Sequence, residues 1–173
     1  MRRVIADDAL ITCDAGENRL FMTHFQTKGP GTLLMPDIGG MGYAVPAALA
    51  GKLFDPKRQV IAVTGDGGFS MAINGIMTAR DENIPIATVV HNNRALDWVK
   101  HGQGNRMIAS SFADMNFAEI AKAMGCRGAR VEKPEQIGGL LREALAANEP
   151  TVIDVATSFN PSFRDVTSPL TQT

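Results

Sequence analysis

A carboxylate flanked by glycines and a pair of carboxamides are the residues of this chain best suited to chemistry. Gly65-Asp66-Gly67 is followed, after 24 intervening residues, by Asn92-Asn93. Asp and Asn oxygens, together with a backbone carbonyl, suit a hard cation such as Mg²⁺, which usually carries phosphate ligands as well. Backbone N–H groups of Gly67-Gly68, at the start of a helix, suit an anion. The two motifs together predict a site for a divalent cation and a diphosphate.

The elements around the two motifs are predicted to bring them to one edge of a sheet. Residues 59–64 and 85–91 are apolar and rich in β-branched side chains, which is typical of strands buried on both faces. Strand, helix and strand in that order form a right-handed unit with parallel strands, so Asp66 and Asn93 should lie at neighbouring carboxyl ends. The crossover helix is predicted over residues 69–82. Its buried stripe is predicted to contain Phe69, Ile73, Ile76 and Met77.

Each motif alone also has a purely structural interpretation. Gly-Asp-Gly makes a good tight turn, and an Asn pair often ends a strand. Their occurrence on consecutive parallel strands favours the cation site over two unrelated turns. A single ion can bridge the two side chains only if they lie within about 8 Å of each other at the same end of the sheet.

The motif pair resembles the cofactor signature of thiamine diphosphate enzymes. The segment Gly39–Ala48 is similar to the part of that family that precedes the metal site, and Asp14-Ala15-Gly16 resembles its first strand end. Roughly residues 5 to 157 resemble the C-terminal, diphosphate-binding domain of the acetolactate synthase, pyruvate oxidase and 2-oxo acid decarboxylase group. The expected fold is therefore a doubly wound α/β domain with a mostly parallel sheet of about six strands and helices on both faces.

The resemblance implies thiamine diphosphate and Mg²⁺ as cofactors. Asp66 and Asn93 would bind the metal through side-chain oxygens, and Ala95 would bind it through its main-chain carbonyl. The cofactor-binding residues implied in this way are Gly39, Met41, Gly65, Asp66, Gly67, Gly68, Asn93, Ala95 and Asn18.

Three of these residues have individual roles by resemblance. Gly39 would offer its carbonyl to the aminopyrimidine, although Gly39-Gly40 is also consistent with a flexible turn. Met41 would press under the bend between the two rings, where a thioether packs adaptably, or it would only fill the core. Asn18 would donate a hydrogen bond to the diphosphate.

Several polar and aromatic residues near the predicted site have open roles. Glu17 is expected in solvent or at a helix N-terminus, since a carboxylate beside phosphate is repulsive. Asp97 either alters the substrate pocket or caps a helix, and capping is favoured. Trp98 lines the channel or packs in a subunit contact. His101 is the candidate for proton transfer, and it is the only catalytic residue proposed in this chain, whereas His91 is expected in the core.

Length and composition fit one domain over residues 1–173, with an extended tail expected over 158–173. The net charge of −1 and 20% charged residues exclude an electrostatic case for nucleic acid or an anionic membrane. No apolar run approaches 18 residues, and no signal peptide is expected, because Met1-Arg2-Arg3 is not followed by an apolar region. Cys13 and Cys126 are predicted to be free thiols in a reducing, cytoplasmic setting. His24 is expected at the surface or an interface.

The resemblance also implies what this chain does not supply. In the family, the glutamate that activates the cofactor comes from an N-terminal pyrimidine-binding domain, usually of a partner subunit, and no Glu of this chain has a matching context. A middle domain, which binds FAD in several members, would belong only to a full-length enzyme. The chain is therefore expected to be half of an active site in a homo- or hetero-oligomer.

The implied enzyme is a lyase or transferase that decarboxylates a 2-oxo acid and protonates or transfers the acyl carbanion, with acetolactate synthase-like chemistry preferred. One alternative is the small subunit of a two-chain enzyme of the sulfopyruvate or phosphonopyruvate decarboxylase type. Another is a cofactor-binding module that is inactive on its own. A nucleotide-binding Rossmann protein is disfavoured, because the last glycine of the dinucleotide fingerprint and a Walker loop are both lacking.

Overall fold

The computed structural model describes residues 1–163 and residue 165. Within them, six parallel strands form one sheet in the order β2-β1-β3-β4-β6-β5. The strands are β1 (Leu10–Cys13), β2 (Leu33–Leu34), β3 (Val60–Gly65), β4 (Ala87–Asn92), β5 (Arg127–Val131) and β6 (Thr151–Ala156). The strand order reverses between β1 and β3, so a crevice opens beyond their carboxyl ends. The predicted doubly wound parallel sheet is confirmed.

Helices cover both faces of this sheet. They are α1 (Glu17–Met22), α2 (Ala44–Phe54), α3 (Asp66–Ala72), α4 (Asn74–Asp81), α5 (Asp97–Gln103), α6 (Phe117–Ala123) and α7 (Gln136–Ala147). None of the helices in the described part of the chain has the length and apolar character needed to cross a bilayer.

Two apolar layers, one on each face, form the core. Because side chains alternate along a strand, Val60 and Ala62 of β3 pack with α2, α3, α4 and α6. Ile61 and Val63 pack on the other face, with buried residues of α1 and α7. Every residue from Val60 to Thr64 is buried, which accounts for the nearly continuous apolar sequence of this strand.

The prediction of one continuous crossover helix over residues 69–82 is wrong. The chain forms α3 and α4 with a break at Ile73, where the N–H of Ile76 bonds to the Ile73 carbonyl in a tighter turn. Asn and Gly favour such a break. The buried stripe consists of Phe69, Ala72, Ile76 and Ala79, and Met77 lies outside it, 46% exposed instead of buried.

The sequence pattern predicts a helix over residues 18–27, and the helix that forms there, α1, is shorter. It ends at Met22, and the chain continues in turns in which His24 and Phe25 bond three residues back. The hydroxyl of Thr23 bonds to the Leu20 carbonyl, which competes with helical continuation.

Part of the predicted tail lies against the domain. The ring of Phe159 stacks on His101 with centroids 4.1 Å apart, and Phe163 contacts the ring of Phe21 edge-on at 5.8 Å. Residue 164 and residues 166–173 of the predicted tail lie outside the described residues.

Candidate functional site

Asp66 lies at the centre of the site, where β3 passes directly into α3. It is 2% exposed. Its Oδ1 accepts the N–H of Gly67 at 2.7 Å, and its Oδ2 accepts the N–H groups of Arg94 at 2.6 Å and Ala95 at 3.2 Å. Burial raises the pKa of Asp66, and these backbone donors oppose the rise by stabilising the charged form. The carboxylate thereby connects the end of β3 to the loop that follows β4.

The amide oxygen of Asn93 meets Asp66 at the same backbone donor. Asn93 Oδ1 accepts the Ala95 N–H at 3.1 Å, and Asp66 Oδ2 accepts it at 3.2 Å. The two side-chain oxygens can therefore lie no farther apart than the sum of these two distances, which is below the limit of about 8 Å stated above for one ion to bridge the two side chains. The structure brings the two predicted ligands together at one end of the sheet.

The carbonyl of Ala95 faces the same side as Asp66 Oδ2 and Asn93 Oδ1. Ala95 forms an isolated antiparallel bridge with Ser111. The hydrogen bonds of this bridge join the flanking residues, Leu96 N–H to the Ser110 carbonyl and Phe112 N–H to the Arg94 carbonyl. In a pair of this type, the central residue directs its own N–H and C=O away from the partner strand. Because the Ala95 N–H points to Asp66 and Asn93, its carbonyl oxygen lies on their side too.

These three oxygens could coordinate a hard cation, with a phosphate and water completing its shell. Within residues 1–163 and 165, no group of three or more His, Cys, Asp or Glu residues is arranged to hold a metal ion. The donor set is thus one carboxylate, one amide and one carbonyl, which suits Mg²⁺ better than zinc.

Asp14 organises the opposite wall of the crevice from the end of β1. It is 1% exposed. Its Oδ1 accepts the N–H groups of Ala15 at 2.9 Å and Tyr43 at 3.2 Å, and its Oδ2 accepts the Gly42 N–H at 3.1 Å and the Thr64 hydroxyl at 3.0 Å. Asp14 therefore fixes the loop before α2 against β3. Sequence analysis did not assign this role, although a carboxylate directly after an apolar strand was an available signal.

The two glycines after Asp66 are required by close packing. A Cβ on Gly68 would lie 2.6 Å from Asp14 Oδ2, and a Cβ on Gly67 would lie 2.7 Å from Leu96 Cδ2 and 3.0 Å from Met41 Cε. Gly67 thus forms a floor beneath the Met41 and Leu96 side chains, and Gly68 lets α3 begin against Asp14.

The predicted diphosphate donors differ in availability. The Gly67 N–H already donates to Asp66 Oδ1 at 2.7 Å. The Asn18 amide nitrogen donates to the Asp14 carbonyl at 3.2 Å, although Asn18 does line the crevice. Gly68 lies in the first turn of α3, where backbone N–H groups have no partner within the helix.

A cleft of about 410 Å³ extends from these residues. Its walls come from the start of α1, the ends of β3 and β4, the start of α5 and the segment after β6. Its lining includes three carboxylates, those of Glu17, Asp66 and Asp97, and no Lys or Arg among the described residues. The side chains of the described lining that carry a full charge are therefore all acidic.

Glu17 is buried at the N-terminus of α1, so the expected position at a helix N-terminus is confirmed and the alternative expectation, that it lies in solvent, is wrong. It is the first residue of α1 and is 6% exposed. Its Oε2 lies 2.8 Å from His101 Nδ1, and its Oε1 accepts the Phe163 N–H at 2.5 Å. These partners replace the water that the carboxylate loses, and they turn it away from the position predicted for phosphate. The pairing was not predicted, because the two residues are distant in sequence.

His101 is held by this pair rather than exposed to the cleft. Its Nδ1 faces Glu17, and its ring lies against Phe159. Its Nε2 is buried and has no hydrogen-bond partner among the described residues. His101 is not among the residues that line the cleft, so its proposed role in proton transfer stays a prediction.

Asp97 is not a helix cap, so the favoured interpretation of this residue is wrong. Leu96 occupies the N-cap position of α5, no side chain caps this helix, and Asp97 is its first residue. Asp97 Oδ2 instead accepts a hydrogen bond from Asn93 Nδ2. Burial raises the pKa of Asp97 to about 6, and the charges of Glu17 and Asp66 add to the rise. The carboxylate lines the cleft, as the alternative interpretation expected.

The remaining candidates divide between the cleft and its surroundings. Met41 and Trp98 line the cleft while being 37% and 51% exposed, so both present apolar surface at its mouth. His91 also lines the cleft, and burial lowers its pKa. Gly39 is exposed, has a φ of 68° and is not among the lining residues. His24 is exposed, as predicted.

An open parallel α/β sheet with an acidic crevice at its switch point defines the class of this domain. The family described as "Thiamine pyrophosphate enzyme, C-terminal TPP binding domain" matches residues 14–155. The chain therefore belongs to the thiamine pyrophosphate enzymes and contains their C-terminal cofactor-binding domain, which confirms the resemblance found in the sequence.

Relatives within this family carry different names. Acetolactate synthase of Bacillus subtilis (strain 168) is 32% identical over 94% of this chain, which spans 30% of that protein. Sulfoacetaldehyde acetyltransferase of Castellaniella defragrans is 28% identical over 90% of this chain and 28% of its own length. The solved structure of a thiamine diphosphate-dependent 4-hydroxybenzoylformate decarboxylase from Rhodococcus jostii RHA1 superposes with a TM-score of 0.84. It is 28% identical, with 93% of this chain and 32% of that chain covered. The chain thus spans about a third or less of these relatives.

Proposed function

We propose that this chain binds Mg²⁺ together with thiamine diphosphate and forms half of the active site of an enzyme acting on a 2-oxo acid. The assembled enzyme decarboxylates the 2-oxo acid and protonates or transfers the acyl product, with acetolactate synthase-like chemistry preferred. The observation that carries the proposal is the meeting of Asp66 Oδ2 and Asn93 Oδ1 at the single N–H of Ala95.

The charge of the cleft is a second argument for a divalent cation. A diphosphate is strongly anionic, and the cleft presents the carboxylates of Asp66 and Asp97 without a Lys or Arg in the described lining. Coulomb repulsion in a partly desolvated cleft would oppose binding unless a cation lies between the two. A divalent ion on Asp66, Asn93 and the Ala95 carbonyl supplies that charge.

The residues of this chain bind the metal and the cofactor and orient them. When bound, thiamine diphosphate supplies the carbanion chemistry of the family. Asp66, Asn93 and Ala95 hold the metal, and Gly68 offers a backbone N–H to the diphosphate. Met41 covers Gly67 at the mouth of the cleft, and its thioether can pack on an aromatic ring.

Catalysis is proposed to require a second domain or subunit. No glutamate of this chain is assigned to cofactor activation, and the relatives are three or more times longer than the region they share with it. We place the activating glutamate on an N-terminal pyrimidine-binding domain, in a homo- or hetero-oligomer. FAD would belong only to a full-length enzyme. Both cysteines are free, which fits the proposed cytoplasmic setting.

Calorimetry tests the binding step. Thiamine diphosphate should bind the wild-type chain in the presence of Mg²⁺ and not in EDTA, while NAD and ATP should not bind. The D66N variant should lose Mg²⁺-dependent binding, because an amide cannot replace the charge of the carboxylate. D81N is a matched control at an exposed surface carboxylate. Equal binding of the cofactor with and without Mg²⁺ would contradict the proposed metal site.

Turnover tests the half-site. CO₂ release from a 2-oxo acid should be absent for the chain alone and should appear when an N-terminal pyrimidine-binding domain is added. Cofactor binding without turnover on mixing would instead support the second candidate, a binding module that is inactive on its own. Turnover only with one dedicated partner chain would support a small subunit of the sulfopyruvate or phosphonopyruvate decarboxylase type.

A further inference from the structure

The amide of Asn93 is held at both ends. Its Nδ2 donates to Asp97 Oδ2, and its Oδ1 accepts the Ala95 N–H at 3.1 Å. The oxygen and nitrogen of a side-chain amide are similar in size and differ mainly in hydrogen-bonding character. A carboxylate at one end accepts only from the NH₂ group, and a backbone N–H at the other end donates only to the oxygen. The two partners therefore permit one orientation of the amide, with its oxygen on the Asp66 side.

Asp97 has no other structural task that the contacts explain. It makes no capping hydrogen bond in α5. Its Oδ1 is buried and has no hydrogen-bond partner among the described residues, so its hydrogen bond from Asn93 is the one contact that uses the carboxylate. A carboxylate kept partly buried with an unused oxygen is costly. The cost is understandable if the orientation of Asn93 matters to a bound ion.

We propose that Asp97 is a positioning residue that holds Asn93 Oδ1 toward the metal site. This inference rests on the proposed function, because the orientation matters only if Asn93 binds the ion. Without Asp97, the Asn93 amide can turn over and direct its NH₂ group at the cation, which removes one ligand. Loss of a group that orients a metal ligand typically weakens metal binding by about 10- to 100-fold.

Mn²⁺ provides the probe, since it is paramagnetic and accepts the same oxygen ligands as Mg²⁺. Mn²⁺ binding in the presence of thiamine diphosphate would be followed by electron paramagnetic resonance and by calorimetry. The D97A variant should bind Mn²⁺ about 10- to 100-fold more weakly. The D97N variant keeps an acceptor oxygen for the Asn93 NH₂ group and should stay within about three-fold of wild type. D97A should have no further effect in an N93A background.

Thermal unfolding of the ligand-free protein separates positioning from folding. D97A, D97N and wild type should unfold at similar temperatures when metal and cofactor are absent. If D97A fails to fold, the Mn²⁺ affinities of D97N, N93D and the N93D/D97N double variant still test the positioning role of Asp97. N93D should lose Mn²⁺ affinity, because it places a second carboxylate beside Asp97. The double variant moves the amide donor to position 97 and the carboxylate acceptor to position 93, and it should recover that affinity.

Each result has a defined meaning. Wild-type affinity in D97A would overturn the positioning role while leaving the metal site intact. An equal loss in D97A and D97N would show that the Asp97 carboxylate itself binds the ion, which also overturns the positioning role. Failure of wild type to bind Mn²⁺ would overturn the proposed function, and the inference with it.

Discussion

The backbone N–H of Arg94 lies 2.6 Å from Asp66 Oδ2. Arg94 has a φ of 63°, a left-handed conformation that residues other than glycine rarely adopt. This turn directs the N–H groups of the loop after β4 back toward the end of β3. Asp66 is thus an anchor for the backbone of that loop as well as a candidate metal ligand, and the two roles can be separated by experiment.

The D66A variant is expected to destabilise the ligand-free protein. The N–H groups of Gly67 and Arg94 would lose their acceptor, and the Ala95 N–H would keep only Asn93 Oδ1. Unsatisfied buried donors should lower the free energy of unfolding by roughly 2–4 kcal/mol. Urea denaturation without metal measures this. The control D81A, at an exposed ion pair, should change it by less than about 0.5 kcal/mol. Equal stability of D66A and D81A would show that the carboxylate does not anchor the loop.

The two members of the Asn pair are expected to behave differently. Asn92 is 4% exposed and donates to Asp154 Oδ1 at 3.0 Å and to the Met115 carbonyl at 2.8 Å. N92A should therefore lower the free energy of unfolding by about 1–3 kcal/mol, because buried acceptors lose their donor.

Asn93 is only half-buried and faces the cleft. N93A should change ligand-free stability by less than about 1 kcal/mol and should strongly weaken Mg²⁺-dependent binding of thiamine diphosphate. Urea denaturation and calorimetry on both variants make the comparison. A larger stability loss in N93A than in N92A would contradict this division of roles.

The sheet and the position of the metal site could be predicted from sequence because both depend on local patterns. Buried parallel strands have long apolar, β-branched runs, and the strand predicted at residues 59–64 is present as β3, Val60–Gly65. Asp66 and Asn93 were placed at one sheet edge because consecutive parallel strands end on the same side.

The contacts that organise the site could not be predicted in this way, because each joins residues far apart in sequence or opposes a local preference. Glu17 pairs with His101 across 84 positions, and Asp14 accepts the Thr64 hydroxyl across 50. A solvated carboxylate was the reasonable expectation for Glu17 in the absence of a visible partner. Asp97 was expected to cap a helix, which is a local preference of Asp, but its carboxylate instead accepts a hydrogen bond from the Asn93 amide.

Gly68 is expected to be intolerant of a single methyl group. A Cβ there would lie 2.6 Å from Asp14 Oδ2 and 2.8 Å from Thr64 Oγ1, and a hydrogen bond between these two buried atoms holds both in place. G68A should therefore lower the free energy of unfolding by about 1–3 kcal/mol through overpacking and weaken cofactor binding.

Gly139 is the matched control, since it lies inside α7 and a Cβ there would meet nothing within 4 Å. G139A should raise the free energy of unfolding by up to about 1 kcal/mol, because alanine is the better helix former. Chemical denaturation of both variants gives the comparison. A stabilising G68A would show that α3 and Asp14 can move apart at low cost.

Alkaline pH is expected to destabilise the protein through Cys13. This residue is fully buried, and burial raises the pKa of its thiol from 9.0 to about 12. The folded state therefore keeps the proton at pH values where the unfolded chain has lost it. The resulting stability is complete below about pH 9 and is lost as the pH rises toward 12, at about 1.4 kcal/mol per pH unit.

The C13A variant isolates this contribution, because it removes the thiol and leaves the other titrating groups in place. Urea denaturation at several pH values between 8 and 11 should give a decline in the free energy of unfolding that is steeper for wild type than for C13A, by about one proton. The pH dependence of the free energy of unfolding is compared rather than its absolute value, since the smaller alanine side chain leaves a cavity that itself lowers stability. Parallel slopes would show that the Cys13 thiol ionises as readily in the folded protein as in the unfolded chain.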